Sequence, residues 1–166
     1  MLRTDRTASA SGFTLVEVLV ALVVLSIGML GIAALQVEGL RSGRSALLRS
    51  QAIVLAADMA DRIRANPTAQ ASYIKAADDT GTVTAACNPG GAGCTAAQMA
   101  AHDIAQWVSV VDDRSDNPAV GRLALPGGRG TIAVDTTTLP TTYRIVVAWT
   151  ESGTQGAGSY ELRFQI

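Results

Sequence analysis

The feature that most constrains this chain is a long apolar run near its N-terminus. From Phe13 to Leu35 the sequence reads FTLVEVLVALVVLSIGMLGIAAL, and Glu17 is the one charged residue within it. A helix of about 20 predominantly apolar residues spans the hydrocarbon core of a bilayer. The run therefore predicts that residues 13–35 form the transmembrane half of a helix.

The order of small and apolar residues argues against an ordinary secretory signal peptide. In such a signal an apolar stretch of about 7–15 residues is followed by a small-residue cleavage site. Here the small residues Ser11 and Gly12 precede the apolar run. Cleavage after Gly12 would remove residues 1–12 as a leader and would keep the apolar helix on the mature protein.

Glu17 needs an explanation, because a carboxylate within an apolar span costs a few kcal/mol unless it is paired. One interpretation is that its side chain reaches the lipid headgroups. The other is that cleavage after Gly12 gives Phe13 a new amine, four residues before Glu17. That amine could pair with Glu17 in the same chain or in a neighbouring chain.

The segment GFTLVE, residues 12–17, resembles the class III signal of type IV pilins and of type II secretion pseudopilins. The resemblance implies that a prepilin peptidase cuts between Gly12 and Phe13 and then N-methylates Phe13. It also implies that Glu17 acts in assembly of a filament. The N-terminus would be cytoplasmic and the C-terminal part periplasmic, an orientation that the arginines on both sides of the run leave ambiguous.

The helical pattern continues beyond the apolar run. Residues at three- and four-residue spacing predict one apolar stripe on an amphipathic half, residues 36–66; the stripe consists of Leu40, Leu47, Leu48, Gln51, Val54, Leu55, Met59 and Ile63. Asn66-Pro67 ends the pattern. Residues 13–66 are therefore predicted to form a single long helix.

Residues 67–166 are predicted to form a globular α+β domain. Thr95 and Gln98 form a capping-box sequence that begins a helix with Met99, Ile104, Trp107, Val108 and Val111 on its apolar face. The adjacent His102 and Asp103 invite a catalytic interpretation, but neighbouring positions do not face each other on a helix. We expect His102 to be a solvent-facing or core-edge residue.

The C-terminal third predicts strands. After a turn at residues 125–130, three segments are rich in β-branched residues or alternate between apolar and polar residues; they are 131–135, 143–150 and 160–166. We expect an antiparallel meander of three or four strands, with one face packed on the amphipathic helix. This arrangement is a pilin-like fold, in which a long N-terminal helix packs on a C-terminal antiparallel β-sheet.

Cys87 and Cys94 lie in a loop rich in glycine and proline. They could be free thiols, half of a metal site, or a local disulfide if the loop faces an oxidising compartment. His102 is the single histidine and no other cysteine occurs, so no metal is expected. With the periplasmic location that the resemblance implies, we expect Cys87 and Cys94 to be bonded to each other.

Further segments extend the resemblance to PilV-type minor pilins: AADMADRIRANP, CNPGGAGCTAAQMAAHDIAQW, LPGGRG and IVVAWTES. It implies a minor pilin in the inner membrane, later assembled into an extracellular pilus, with roles in priming assembly and in twitching or adhesion. Its partners would be other minor pilins, the major pilin, the prepilin peptidase and the inner-membrane assembly machinery.

The alternatives are a minor pseudopilin of a type II secretion system and a membrane-tethered periplasmic binding module or enzyme. Charged residues make up 16% of the chain and the net charge is −1. No basic run is present, so no nucleic acid is expected as a partner. No convergent polar site is evident, so neither enzymatic activity nor a cofactor is expected.

Overall fold

A computed structural model of the chain describes residues 12–112, 125–137, 139–151 and 156–166. Almost all of the predicted leader, residues 1–11, lies outside the described residues. The chain divides into two compact units, Met1–Gly43 and Arg44–Ile166. Within the described residues the elements are two α-helices, two 3-10 helices and three strands: α1 (Leu15–Ala65), 3-10 helices at Pro67–Tyr73 and Ala85–Cys87, α2 (Ala96–Val111), β1 (Arg129–Asp135), β2 (Thr142–Thr150) and β3 (Ala157–Gln165).

The long first helix is confirmed, with bounds within two residues of the predicted ones. Its C-terminal end lies where Pro67 disfavours a helical conformation for Asn66. Asn66 adopts φ −125° and ψ 64°, and its side-chain amide donates to the carbonyl of Ala96 over 2.8 Å. The end of α1 is thereby tied to the beginning of α2.

The face of α1 that enters the core agrees only in part with the predicted stripe, of which Leu48, Met59 and Ile63 are buried. The buried residues are Leu48, Ala52, Ala56, Met59, Ala60 and Ile63. Leu40, Leu47 and Val54 of the predicted stripe are 76%, 58% and 65% exposed. The prediction followed the large aliphatic residues, whereas three alanines form much of the buried face.

The side chain of Trp107 connects α2 to the backbone of α1. The Trp107 indole N–H donates to the Leu55 carbonyl on α1 over 2.8 Å, and Trp107 is buried. The predicted capping box of α2 is present: Thr95 Oγ1 accepts from the Gln98 N–H, and Gln98 Oε1 accepts from the Thr95 N–H. The predicted apolar face of α2 is buried apart from Met99, which is half-buried.

The C-terminal strands form an antiparallel three-stranded meander in the order β1-β2-β3. Ile145 pairs with Ile132 on one side and with Leu162 on the other. The sheet face that contains these residues packs into the same core as α1 and α2. The long helix packed on a three-stranded antiparallel sheet is the pilin-like α+β fold that the sequence predicts.

A polar network lies between α1, α2 and the first 3-10 helix. Asp103 accepts from Arg62 Nη1 over 3.1 Å and from the Tyr73 hydroxyl over 2.7 Å. Burial and the Asp103 carboxylate raise the pKa of Tyr73 far above its ordinary value. Tyr73 therefore stays a hydrogen-bond donor to Asp103 over the physiological pH range.

His102 is buried at 3% exposure, so the expectation of a solvent-facing residue is wrong and the core-edge alternative fits better. Its Nδ1 accepts from the Thr84 N–H over 3.1 Å, and its Nε2 lies 2.8 Å from Gln106 Nε2. These contacts fix the segment that precedes the cysteine loop against α2. The 3-10 helix Ala85–Cys87 follows Thr84 directly.

Cys87 and Cys94 are joined in a disulfide, with their Cα atoms 5.2 Å apart. The bond closes the loop immediately before the N-cap residue of α2. Gly93 N–H donates to the Ala86 carbonyl over 3.1 Å, which gives the loop an internal hydrogen bond as well.

We expect Tyr73→Phe and Tyr143→Phe to have opposite effects on stability. Tyr73→Phe removes a donor from the buried Asp103 and should lower the free energy of unfolding by about 1–3 kcal/mol. The Tyr143 hydroxyl is buried with no hydrogen-bond partner among the described residues, so Tyr143→Phe should be neutral or stabilising. Urea unfolding of the detergent-solubilised protein, followed by tryptophan fluorescence, measures both; equal losses would contradict the assignment.

Removal of the disulfide by Cys87→Ser together with Cys94→Ser should lower the free energy of unfolding. Closing a loop of this size restricts the unfolded chain and contributes about 2–3 kcal/mol in the chain-entropy model. Wild-type protein unfolded with and without reductant is the matched control. A double variant as stable as the oxidised wild type would show that the bond contributes nothing to stability.

Candidate functional site

The candidate functional site is the start of α1 together with the apolar surface that follows it. Gly12, Phe13 and Thr14 precede the helix in a non-helical conformation. Phe13 is 87% exposed, and a groove of 420 Å³ contains Phe13, Glu17, Val18, Ala21, Leu22 and Leu25. The predicted cleavage residues and the predicted assembly residue therefore lie within one short segment.

Thr14 and Glu17 form a reciprocal capping box at the helix start. The Glu17 N–H donates to Thr14 Oγ1 over 3.3 Å, and the Thr14 N–H donates to Glu17 Oε2 over 3.4 Å. Two backbone donors that have no partner within the helix are thereby satisfied. The carboxylate also lies where the helix dipole favours a negative charge.

Thr14 is a site residue that was not predicted from the sequence. The signal was present, since a threonine followed three residues later by a glutamate is the capping-box pattern. The same pattern predicted the capping box of Thr95 and Gln98. Glu17 was instead interpreted through the cost of a charge in an apolar span, and its capping role was missed. Glu17 thus has a local structural role in addition to its predicted role in assembly.

The first part of α1 presents apolar side chains in every direction. Each large apolar residue between Leu15 and Val37 is at least 49% exposed within the chain. The Ser26 hydroxyl donates to the Leu22 carbonyl over 2.7 Å, so it is satisfied within the helix. By length and composition α1 could cross a membrane, and none of its most apolar 18-residue window is buried.

A second apolar surface lies on α1 within the unit Arg44–Ile166. Leu47, Ile53 and Val54 are between 41% and 65% exposed. A groove of 250 Å³ beside them is formed by Ser50, Gln51, Val54, Leu55 and Val110. The groove is open and apolar, and it contains no charged residue.

The described residues hold no arrangement suited to catalysis or metal binding. No cluster of three or more His, Cys, Asp or Glu side chains that could hold a metal occurs in the part of the chain that the structure describes. His102 and Asp103 have structural partners, and the two cysteines are bonded to each other. The candidate site therefore consists of an apolar helix surface with one carboxylate, that of Glu17, near its start.

Two protein families match adjoining segments of the chain. The prokaryotic N-terminal methylation motif matches residues 7–33, and the family described as type IV pilin Tt1218 matches residues 34–105. No curated protein and no solved structure is significantly similar to the chain.

The leader motif implies processing by a prepilin peptidase and partners in filament assembly, and it is consistent with anchoring in the inner membrane before assembly. The matches span residues 7–105 of the 166, and the fold agrees with them. Over residues 7–105 the chain therefore has the sequence features of the type IV pilin family, whose members are structural proteins and not enzymes.

Proposed function

We propose that this chain is a minor pilin that helps to prime assembly of a type IV pilus and supports twitching motility or adhesion. The observation that carries the proposal is the all-round exposure of the first part of α1, directly after Gly12 and Phe13. A helix with this surface requires lipid or other apolar helices around it. A pilin meets the first before assembly and the second after it.

In this proposal residues 1–12 are a cytoplasmic leader and residues 13–35 cross the inner membrane. Residues 36–66 are the amphipathic half of the helix, and residues 67–166 form the periplasmic domain. The prepilin peptidase cleaves after Gly12 and methylates Phe13. The mature chain then joins other minor pilins, the major pilin and the inner-membrane assembly machinery.

Three features support a minor rather than a major subunit. Many major pilins carry a proline within the apolar half of the helix, and none occurs between Phe13 and Asn66 here. Many also close a large disulfide loop near the C-terminus, whereas Cys87–Cys94 is a small loop in mid-chain. The third feature is the resemblance of several later segments to PilV-type minor pilins.

Cleavage changes the partners that are available to the Glu17 carboxylate. Before cleavage its carboxylate has the Thr14 N–H as a partner, which satisfies a hydrogen bond but does not neutralise the charge. Cleavage adds an amine at Phe13, and an amine of the same chain or of a neighbour can neutralise the carboxylate. An intermolecular pair would also set the vertical register between neighbouring helices.

We expect the mature protein to begin at Phe13 with a methylated amine. Intact-mass and peptide mass spectrometry of protein from the membrane and from sheared pili measures this directly. A strain without prepilin peptidase activity is the control, and it should retain the leader. Assembled protein that starts at Met1 or Leu2 would contradict the assigned cleavage site.

We expect Glu17→Ala and Glu17→Gln to lower recovery in sheared pili by at least about tenfold, which corresponds to about 1.4 kcal/mol. Glu17→Gln retains a side-chain acceptor for the Thr14 N–H but has no charge. Loss in both variants therefore identifies the charge, whereas loss only in Glu17→Ala identifies the capping box. Membrane insertion should be as good or better without the charge.

The measurement compares membrane fractionation, leader removal and recovery in pili for the same cultures. Normal insertion and leader removal with depleted pili support the role in assembly. Unchanged recovery in pili for both variants would leave Glu17 as a tolerated charge at the membrane interface. Recovery of the processed chain with a secretion pseudopilus instead of pili would favour the pseudopilin alternative.

A further inference from the structure

The two edges of the sheet differ in how they are covered. At the β1 edge, Lys75 exchanges two backbone hydrogen bonds with Ile132, each 3.0 Å long. The Lys75 ammonium also donates to the Gly130 carbonyl over 2.8 Å. At the β3 edge, none of the described residues forms a comparable pairing.

The hydrogen-bond register shows which backbone groups of β3 face outward. The Ile166 N–H donates to the Thr141 carbonyl, and the Glu151 N–H donates to the Gly156 carbonyl. Antiparallel pairs alternate between hydrogen-bonded and non-hydrogen-bonded ones, so even-numbered β3 residues bond to β2. The backbone groups of the odd-numbered residues point to the open edge: Ser159, Glu161, Arg163 and Gln165.

The outer face of the sheet carries an unbalanced charge at this edge. Arg144 and Arg163 are direct cross-strand partners, and like charges in that position are destabilising. Both guanidinium groups contact the one carboxylate of Glu161. Asp135 lines the same 260 Å³ cavity, but it lies on β1, two strands away from the edge.

An added strand would provide both the missing backbone partners and the missing negative charge at this edge. Its backbone would supply partners for the outward N–H and C=O groups. A carboxylate at its position opposite Arg163 would lie on the outer face and would give the second guanidinium group its own counter-charge. A second copy of this chain paired through the same edge could place its Glu161 opposite Arg163. It would, however, bring two more arginines with that carboxylate and leave the excess positive charge in place.

We propose that the β3 edge binds an extended strand of a different protein within the assembled pilus, and that this strand carries an acidic residue opposite Arg163. The proposal rests on the proposed function, since it places the partner in the filament. The competing explanation is that Glu161 and Arg163 protect an edge strand from unwanted pairing. In that case the edge stays open after assembly.

Amide hydrogen exchange at single-residue resolution distinguishes the two explanations. In the detergent-solubilised chain, the amides of Glu161 and Arg163 should exchange rapidly, while those of Tyr160 and Leu162 should be protected by β2. In sheared pili, the amides of Glu161 and Arg163 should exchange at least about tenfold more slowly. Equally rapid exchange in pili would overturn the inference.

Proline substitution blocks the edge without breaking the sheet. Ser159→Pro removes an outward N–H that β2 does not use, a position at which an edge strand tolerates proline. Recovery in pili should fall at least about fivefold, while Ser159→Ala, which keeps the N–H, should be recovered normally. Normal recovery of a folded Ser159→Pro variant would contradict strand addition.

The charge requirement is tested at Arg163 and does not depend on tolerance of proline. Arg163→Glu should lower recovery in pili about two- to fivefold, and Arg163→Gln should have a smaller effect. Equal recovery of the wild type and both variants would reject the acidic partner residue. Absence of the wild-type chain from pili would instead contradict the proposed function. The wild-type sample therefore distinguishes failure of the proposed function from failure of the strand-addition proposal.

Cross-linking in intact pili identifies the protein whose strand binds the β3 edge. Ser159→Cys, linked to a neighbour across the edge and identified by mass spectrometry, should yield a peptide of another protein with an acidic residue in extended sequence. A peptide of this same chain would overturn the assignment to a different protein.

Discussion

The structure depends on the cost of leaving an all-round apolar helix in water. Burial of one large aliphatic side chain contributes about 1.5–3 kcal/mol, and every such residue from Leu15 to Val37 is exposed within the chain. The total is on the order of tens of kcal/mol, more than the whole stability of a typical domain. This segment must therefore be covered by lipid or by other helices, and the family supplies both environments in succession.

The second part of α1 meets a different requirement, because it packs into its own domain. Ala52, Ala56 and Ala60 are fully buried, and the Trp107 indole N–H of α2 donates to the Leu55 carbonyl of α1. On the sheet, Gly130 accommodates the Trp107 ring, because a Cβ at this position would overlap it. The network of Arg62, Asp103 and Tyr73 then fixes the helix end with charged and neutral hydrogen bonds.

Much of this architecture could be predicted because the governing signals are local. The apolar run, the Asn66-Pro67 stop, the Thr95 capping box and the alternating strands each act over a few residues. The buried face of α1 was predicted only in part: Leu48, Met59 and Ile63 are buried as expected. The buried alanines were missed because alanine gives a weak hydrophobic signal and its burial depends on what packs against it. The choice between a solvent-facing and a core-edge His102 could not be made from the sequence for a related reason: its partner Thr84 is remote in sequence. The outward-facing backbone groups of β3 follow only from the register, which the sequence does not specify.

The central claim is that one helix is held first by the membrane and then by the pilus, with cleavage between the two states. It is tested most directly by quantifying this chain in purified pili from strains with active and inactive prepilin peptidase. We expect the chain to be present only in pili from the active strain, with Phe13 as its N-terminus. Equal amounts of unprocessed chain in pili from both strains, or its absence from pili in both, would contradict the account.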